Sequence, residues 1–301
     1  MYNTRMSRFA LLLSLAAMAN AAVAAPVDID TAAQLYQAAA IREQVRASLG
    51  SMPAHIRKLF QGNTSAPLSE PQLSAVNVAA VRAFRIDVFE APALSAFASN
   101  LDADTLKKAE AFFSSDSGKR WVAADVGLAS LKDEDADKIM NGDMAAATTP
   151  QRNALFEKLE RAERSSESTI QILLSMGTAV ALGTAVGSGM DPGPVEERAR
   201  KSGEASRQTL EDSMREPMRR YVAYGYRDLS DADLKHVLSF LQSTAGKQYV
   251  SAYIASLDAG FHAMGRRCGE QLGESLRELA MAQLSPENAD HEPSAAAKPH
   301  P

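Results

Sequence analysis

The chain has 301 residues, of which 46% are hydrophobic, 23% are charged and only 6% are aromatic, and its formal net charge is −5. This composition is typical of a globular protein with a sizeable core, and the mild acidic charge argues against a nucleic-acid partner, which needs a basic surface. Alanine dominates the apolar residues, which favours helix because alanine loses no side-chain entropy in one.

The N-terminus has the pattern of a targeting segment. Early arginines precede the short apolar run 9–18, and Ala22-Val23-Ala24 supplies small residues for a signal peptidase. We predict that residues 1–24 are a signal peptide, with cleavage after Ala24 or, as second choice, after Ala25, and that the mature protein is periplasmic. An uncleaved membrane anchor is the alternative, which the shortness of the run disfavours.

A single cysteine, Cys268, is present. In an oxidising compartment it cannot form an intrachain disulfide, so the fold must depend on packing alone. We expect Cys268 to be a buried small apolar side chain, the alternative being a spare thiol for an intermolecular link.

Apolar spacing predicts helices in the first part of the mature chain. Residues 30–49 read as one helix, with Thr31 and Gln34 as a capping box and Gly50 as its stop. A short helix is predicted over 54–61.

A longer helix is predicted from about Gln72. Its candidate core face has helical spacing and consists of Leu73, Val76, Val81, Phe84 and Val88. Pro92 is expected to kink or end this helix.

An internal repeat lies further along the chain. Residues 101–124 and 229–252 are related by an offset of 128 residues, with nine of 24 positions identical and no gap. The motif residues are Leu101, Asp102, Leu106, Phe112, Ser115, Gly118 and Lys119 in the first copy and Leu229, Ser230, Leu234, Phe240, Ser243, Gly246 and Lys247 in the second.

Each copy reads as a capped αα-hairpin. Asp102 and Ser230 are suited to cap the first helix, and a leucine on either side of each cap forms a hydrophobic staple. Ser115 and Ser243 are suited to cap the second helix, whose third residue is a glycine that allows a tight corner.

We therefore predict an all-α fold, an irregular helical bundle of two related helical units. Unit 1 spans 25–132 and unit 2 spans 151–284, with the family-like hairpin at 229–261. The polar, acidic stretch 133–150 is predicted to be a linker, and 285–301 a disordered tail rich in Pro, Ala, His and Glu.

The motif Leu-x-x-x-x-Leu-x-x-x-x-x-Phe-x-x-Ser-x-x-Gly-Lys, present in both copies, resembles the core of the bacterial family catalogued as domain of unknown function 2059. The resemblance implies an exported helical protein of Gram-negative bacteria. It supplies no catalytic residues. The chain departs from the family pattern at Asp116 and Thr244, which stand where the family often has proline, and at Leu241, which replaces an aromatic residue.

No pattern for catalysis, a metal or a cofactor is evident. The two Ser-x-x-Gly-Lys corners lack the earlier glycine and the following Ser or Thr of a phosphate loop, since Arg120 and Gln248 take the latter position. The five histidines lack metal-ligand spacing. A hydrolase with a carboxylate site is the weakest alternative, and clustered buried carboxylates in the structure would favour it.

The uncharged segment 169–190 carries a Gly183-x-x-x-Gly187 pair. It fits either a buried helix, which we favour, or a membrane-associated helix. Gly265, Gly269 and Gly273 form a smooth strip on the last predicted helix that could receive the segment within the chain or form a homodimer. The leading functional hypothesis is a non-enzymatic periplasmic protein that binds a protein or a small apolar ligand, or supports the envelope, through grooves between helices.

Overall fold

The computed structural model describes residues 27–61 and 67–284, and these residues form helices with no strand among them. The predicted signal peptide and tail lie outside the described residues. The helices in chain order are α1 (Ile29–Ala38), α2 (Ile41–Leu49), α3 (Met52–Gln61), α4 (Glu70–Ala83), α5 (Ile86–Ser99), α6 (Ala103–Ser114), α7 (Asp116–Ala129), α8 (Asp133–Asn141), α9 (Pro150–Glu163), α10 (Ser165–Gly187), α11 (Gly193–Gly225), α12 (Asp231–Gln242) and α13 (Thr244–Leu284). The all-α prediction is confirmed.

The single helix predicted over 30–49 is wrong. Ala40 adopts a left-handed conformation with φ of 50°, which separates α1 from α2. The break lets α1 pack Leu35 into one hydrophobic cluster while α2 packs Val45 into another. The capping box predicted at Thr31 is also wrong, because the Asp28 carboxylate caps α1 by accepting from the backbone amides of Asp30 and Thr31.

The long helix predicted from Gln72 is two helices, because the chain breaks at Phe84 and Arg85 between α4 and α5. Val81 of the predicted core face is 53% exposed, and buried alanines of α4 pack into the core instead. Pro92 does not end the helix, since α5 continues through it to Ser99.

The two predicted hairpins are α6–α7 and the α12–α13 corner, and their corners make the same contacts. The Ser115 hydroxyl accepts from the Gly118 amide at 3.1 Å and donates to the Phe112 carbonyl at 2.6 Å. At the other corner, the Ser243 hydroxyl makes the equivalent contacts at 3.0 and 2.6 Å. A Cβ at Gly118 would lie 2.1 Å from the Phe112 carbonyl oxygen, so only glycine fits the corner.

The hairpins pack together through reciprocal contacts. The Phe112 and Phe240 rings, which are 128 positions apart in sequence, stack with centroids 4.0 Å apart. Arg120 donates to Asp233 at 2.6 Å, and Thr105 donates to Gln248 at 3.0 Å. Gln248 is 128 positions after Arg120, and Asp233 is 128 positions after Thr105. The two contacts therefore join the same two repeat positions, once in each direction between the hairpins. The hairpins are thus related by a local pseudo-two-fold axis near the phenylalanine pair.

The Asp233 carboxylate accepts hydrogen bonds from both hairpins. It is only 6% exposed and completes a capping box with Ser230 at the start of α12. Hydrogen bonds from Arg120, Ser230 and Ser117 hold its pKa well below the ordinary value. Asp233 therefore has two roles: it caps α12 in its own hairpin and forms an ion pair with Arg120 of the other hairpin.

The two predicted units share their hydrophobic cores. One cluster combines Phe97 of the first unit with Leu234 and Tyr249 of the second, and the other combines Phe89 with Met264. Part of the predicted linker is helical: α8 buries Ile139 and packs against α11, where Arg220 donates to the Met140 carbonyl at 2.9 Å.

Helices α10 and α13 come into close contact at glycines of both helices. The glycines on α13 are those of the predicted strip. A Cβ at Gly183 would stand 2.3 Å from the Arg266 carbonyl oxygen, and one at Gly187 would stand 2.1 Å from that of Glu270. Cβ atoms at Gly265, Gly269 and Gly273 would lie 2.7, 2.1 and 2.3 Å from the carbonyl oxygens of Met176, Val180 and Thr184, respectively. The backbones touch, so the strip receives segment 169–190 within the chain.

We predict that Gly269→Ala destabilises the protein by about 2 kcal/mol or more, because the added methyl meets backbone and not a movable side chain. Gly177→Ala on α10 is the matched control, since a Cβ there meets nothing within 4 Å. Alanine at this control position should leave stability unchanged or raise it by up to about 1 kcal/mol through helix propensity. Chemical denaturation measures both, and equal midpoints for the two variants would contradict the close contact.

Candidate functional site

A cavity of about 400 Å³ lies between the two halves of the chain. Its lining is mainly apolar and aromatic, as is usual for small-molecule sites. The lining residues are Ala39, Gln44, Val45, Ser48, Phe113, Trp121, Asp125, Leu128, Ala129, Glu163, Ser165, Ser168, Thr169, Ile172, Met218, Tyr221, Val222, Tyr226, Leu241, Tyr249, Val250, Tyr253, Leu257 and Phe261.

Equivalent positions of the two hairpins face this cavity together. Within the hairpins, the pairs that are 128 positions apart and both line it are Phe113 with Leu241, Trp121 with Tyr249, Asp125 with Tyr253 and Ala129 with Leu257. The cavity therefore lies across the pseudo-two-fold relation of the hairpins. Asp125 breaks the relation most sharply, because it places a carboxyl where the other hairpin has a phenol.

The polar end of the cavity is built around the hydroxyl of Tyr226, which ends α11. This oxygen lies 2.7 Å from Asp125 Oδ1 and 2.9 Å from Glu163 Oε1. The other oxygen of Glu163 accepts from the Ser165 hydroxyl at 3.1 Å. Helices α7, α9 and α11 thus bring two carboxyl groups onto one phenol.

The proton count favours a state in which one of these carboxyls is protonated. A phenol has one hydrogen, so both contacts are hydrogen bonds only if one carboxyl donates to the phenolic oxygen. Burial raises the pKa of Asp125 to about 7. Burial, and then the neighbouring Asp125, raise the pKa of Glu163 to about 8. Both carboxyls lie deep in the fold, and each keeps some accessible area because it faces the cavity.

Tyrosine and tryptophan side chains form much of the rest of the cavity wall. Tyr253 donates to Gln44 at 3.0 Å, and Tyr221 donates to the Leu128 carbonyl at 3.0 Å. Burial raises the pKa of Tyr221 to about 12, so this phenol stays neutral. Trp121 is only 5% exposed, and its indole N–H makes no hydrogen bond of normal geometry, although it lies close enough to the Tyr226 hydroxyl to lower the pKa of that phenol. A buried donor whose hydrogen bond is poor is costly unless the contents of the cavity improve it.

The predicted motif residues lie at the hairpin corners and the interface between the hairpins. They cap helices, fill the core or, as with Lys119 and Lys247, lie exposed, and none of them lines the cavity. The sequence reasoning missed Asp125, Glu163 and Tyr226. One signal was available for Asp125, which lies four residues after Trp121 and three before Leu128, on the apolar stripe of α7.

Helix α10 supplies one wall of the cavity through Ser168, Thr169 and Ile172. One described helical stretch, Pro150–Gly187, contains a window apolar enough to cross a membrane, with mean hydropathy 1.6, and 39% of that window is buried. Core helices of soluble proteins pass the same test. Cys268 is buried in the neighbouring cluster, as expected, and burial raises its pKa to about 11.

Within residues 27–61 and 67–284, no group of three or more His, Cys, Asp or Glu side chains has an arrangement that could hold a metal ion. No family model matches the chain, and neither a curated protein nor a solved structure matches it. The resemblance to domain of unknown function 2059 therefore stays a prediction that depends on the repeated motif.

The carboxyl pair predicts a pH dependence of stability. The pKa values of Asp125 and Glu163 are raised in the folded state, so folding favours their protonated forms. Their contribution is complete below the unfolded pKa values near pH 4 and is lost as the pH rises through about 7 to 8. We expect the free energy of unfolding to fall between pH 5 and pH 8, by at least about 1 kcal/mol more than in the double variant Asp125→Asn/Glu163→Gln.

The matched control is Asp137→Asn/Glu278→Gln, which removes two exposed carboxylates. The free energy of unfolding of this control should change with pH as steeply as that of the unsubstituted chain. The Asp233 pKa is lowered, so its contribution is lost only in more acidic solution and leaves this window undisturbed. If the Asp125/Glu163 variant showed the same slope as the unsubstituted chain, the pair would not be buried as described.

Proposed function

We propose that the chain is an exported, non-enzymatic protein of the periplasm that binds a small, mainly apolar ligand in the cavity between its two halves. The cavity itself is the observation that carries this proposal. Its volume of about 400 Å³ falls in the range of small-molecule sites, and most of its lining is apolar or aromatic with polar groups at one end.

Hydrogen bonds hold several tyrosines of the cavity wall in fixed positions, as expected of a specific binding site. Tyr226 is fixed by two carboxyls, Tyr253 by Gln44 and Tyr221 by a backbone carbonyl. Rigid aromatic walls lose little entropy when a ligand binds. The buried Trp121 donor, which makes no hydrogen bond of normal geometry, is a further polar group that a ligand could contact.

Neutral N-phenyl-1-naphthylamine is a suitable first probe. Trp121 is the only tryptophan and lines the cavity, so its emission should be quenched as the probe binds. Ala129→Phe should weaken binding about tenfold or more by filling the cavity, and Ser168→Phe should do the same from α10. Ala111→Phe, on the exposed face of α6, is the matched control and should bind like the unsubstituted chain. Unchanged binding by both filled variants would refute the cavity as the site.

Export can be tested on the natural chain. The protein purified from the periplasm should begin at Ala25, or at Pro26 if the second cleavage site is used. An alkaline wash should release it from membranes. Retention in the washed pellet would instead favour the alternative function, a membrane-associated protein that uses segment 169–190, for which the apolar window of α10 is the supporting observation.

The carboxyl pair gives the hydrolase alternative its one supporting observation. Carboxyls with raised pKa values are suited to acid–base catalysis. Here, however, the Tyr226 hydroxyl occupies the space between Asp125 and Glu163, where a substrate bond or an attacking water would have to lie. The geometry therefore supports recognition of a ligand better than hydrolysis.

A further inference from the structure

We propose that the ligand of this cavity is an amphiphilic amine, with an apolar body against the aromatic walls and a protonated nitrogen at the Asp125–Tyr226–Glu163 end. This inference rests on the proposed ligand-binding function and narrows it to one chemical class.

The charge balance of the cavity is the first argument. Asp125 and Glu163 face it, and no residue that lines it is a lysine, arginine or histidine. The hydroxyls of Tyr226 and Ser165, which carry no charge, are hydrogen-bonded to them. Buried carboxylates need a positive partner or a proton. Since no cationic side chain lines the cavity, a proton can neutralise these carboxyls, and a cationic ligand would replace that proton.

The aromatic walls give the second argument. Tyr221, Tyr226, Tyr249, Tyr253 and Trp121 all line the cavity. The faces of such rings attract cations, most strongly where water is excluded. An ammonium group between the carboxyls and these rings would be stabilised from several sides, whereas a carboxylate ligand would meet like charge.

The third argument is independent of charge. The Trp121 indole N–H is buried, belongs to a residue of the cavity wall and makes no hydrogen bond of normal geometry, its nearest acceptor being the Tyr226 hydroxyl. A ligand oxygen in the cavity would give this donor a better acceptor than the chain itself supplies. An amine with a nearby oxygen, such as an amino alcohol, would satisfy both Trp121 and the carboxyls.

The proposal predicts that ligand and protons compete. Amine binding favours the ionised carboxyls, so affinity should rise by about tenfold or more from pH 6 to pH 8, a range in which an alkylamine stays protonated. The other titratable groups around the pair are Glu160, Tyr221, Tyr226, Tyr249 and Tyr253. Burial raises the pKa of each of these tyrosines, so none of them ionises in this range.

The test is isothermal titration calorimetry of the mature chain with three ligands of equal length: decylamine, decanol and decanoate. At pH 8 we expect decylamine to bind at least about tenfold more tightly than decanol, and decanoate to bind most weakly. Between pH 6 and pH 8 only the affinity for decylamine should rise. This comparison needs no variant.

Two variants locate the effect. Glu163→Gln, and separately Asp125→Asn, should lower decylamine affinity several-fold and leave decanol affinity unchanged, while the control Asp137→Asn/Glu278→Gln changes neither. Equal affinity for decylamine and decanol at pH 8 would overturn the amine assignment and leave the ligand cavity standing. Failure of all three ligands and of N-phenyl-1-naphthylamine would overturn the proposed function itself.

Discussion

The backbone contact between α10 and α13 is the constraint on which the rest of the structure depends. Glycines on both helices let the two backbones touch along the crossing, and a Cβ at Gly183, Gly187 or Gly269 would overlap the backbone of the other helix, which favours this register. The contact holds the first half of α10 over the cavity, where Thr169 and Ile172 face it together with Leu257 and Phe261 of α13. Helix α10 can therefore line this cavity or insert into a membrane, but it cannot do both at once.

The paired hairpins explain why the cavity lies where it does. Stacked phenylalanines and reciprocal polar contacts place the second helices of the two hairpins so that equivalent positions face each other. Duplication of a hairpin that pairs with itself would produce this arrangement, and we propose that origin. The difference between Asp125 and its counterpart Tyr253 then marks where the copies diverged, and it gives the cavity its polar end.

The sequence predicted the features that depend on neighbouring residues. Caps, staples and corner glycines act within a few positions, so the hairpins could be found from Ser115 and Gly118 and from their counterparts. The break at Ala40 could not be found, since alanine gives no local signal for a left-handed residue and tertiary packing imposes it. The carboxyl pair was missed for a related reason. Tyr226 is 101 residues from Asp125 and 63 from Glu163, so no spacing rule connects them.

Amide hydrogen exchange of the mature chain tests the central claim most directly. If α10 is an internal helix locked against α13, amides of residues 176–187 should exchange as slowly as those of residues 249–272, through global unfolding alone. Rapid exchange along α10 while α13 stays protected would show that α10 leaves its place, and it would contradict both the glycine contact and the cavity wall that α10 forms.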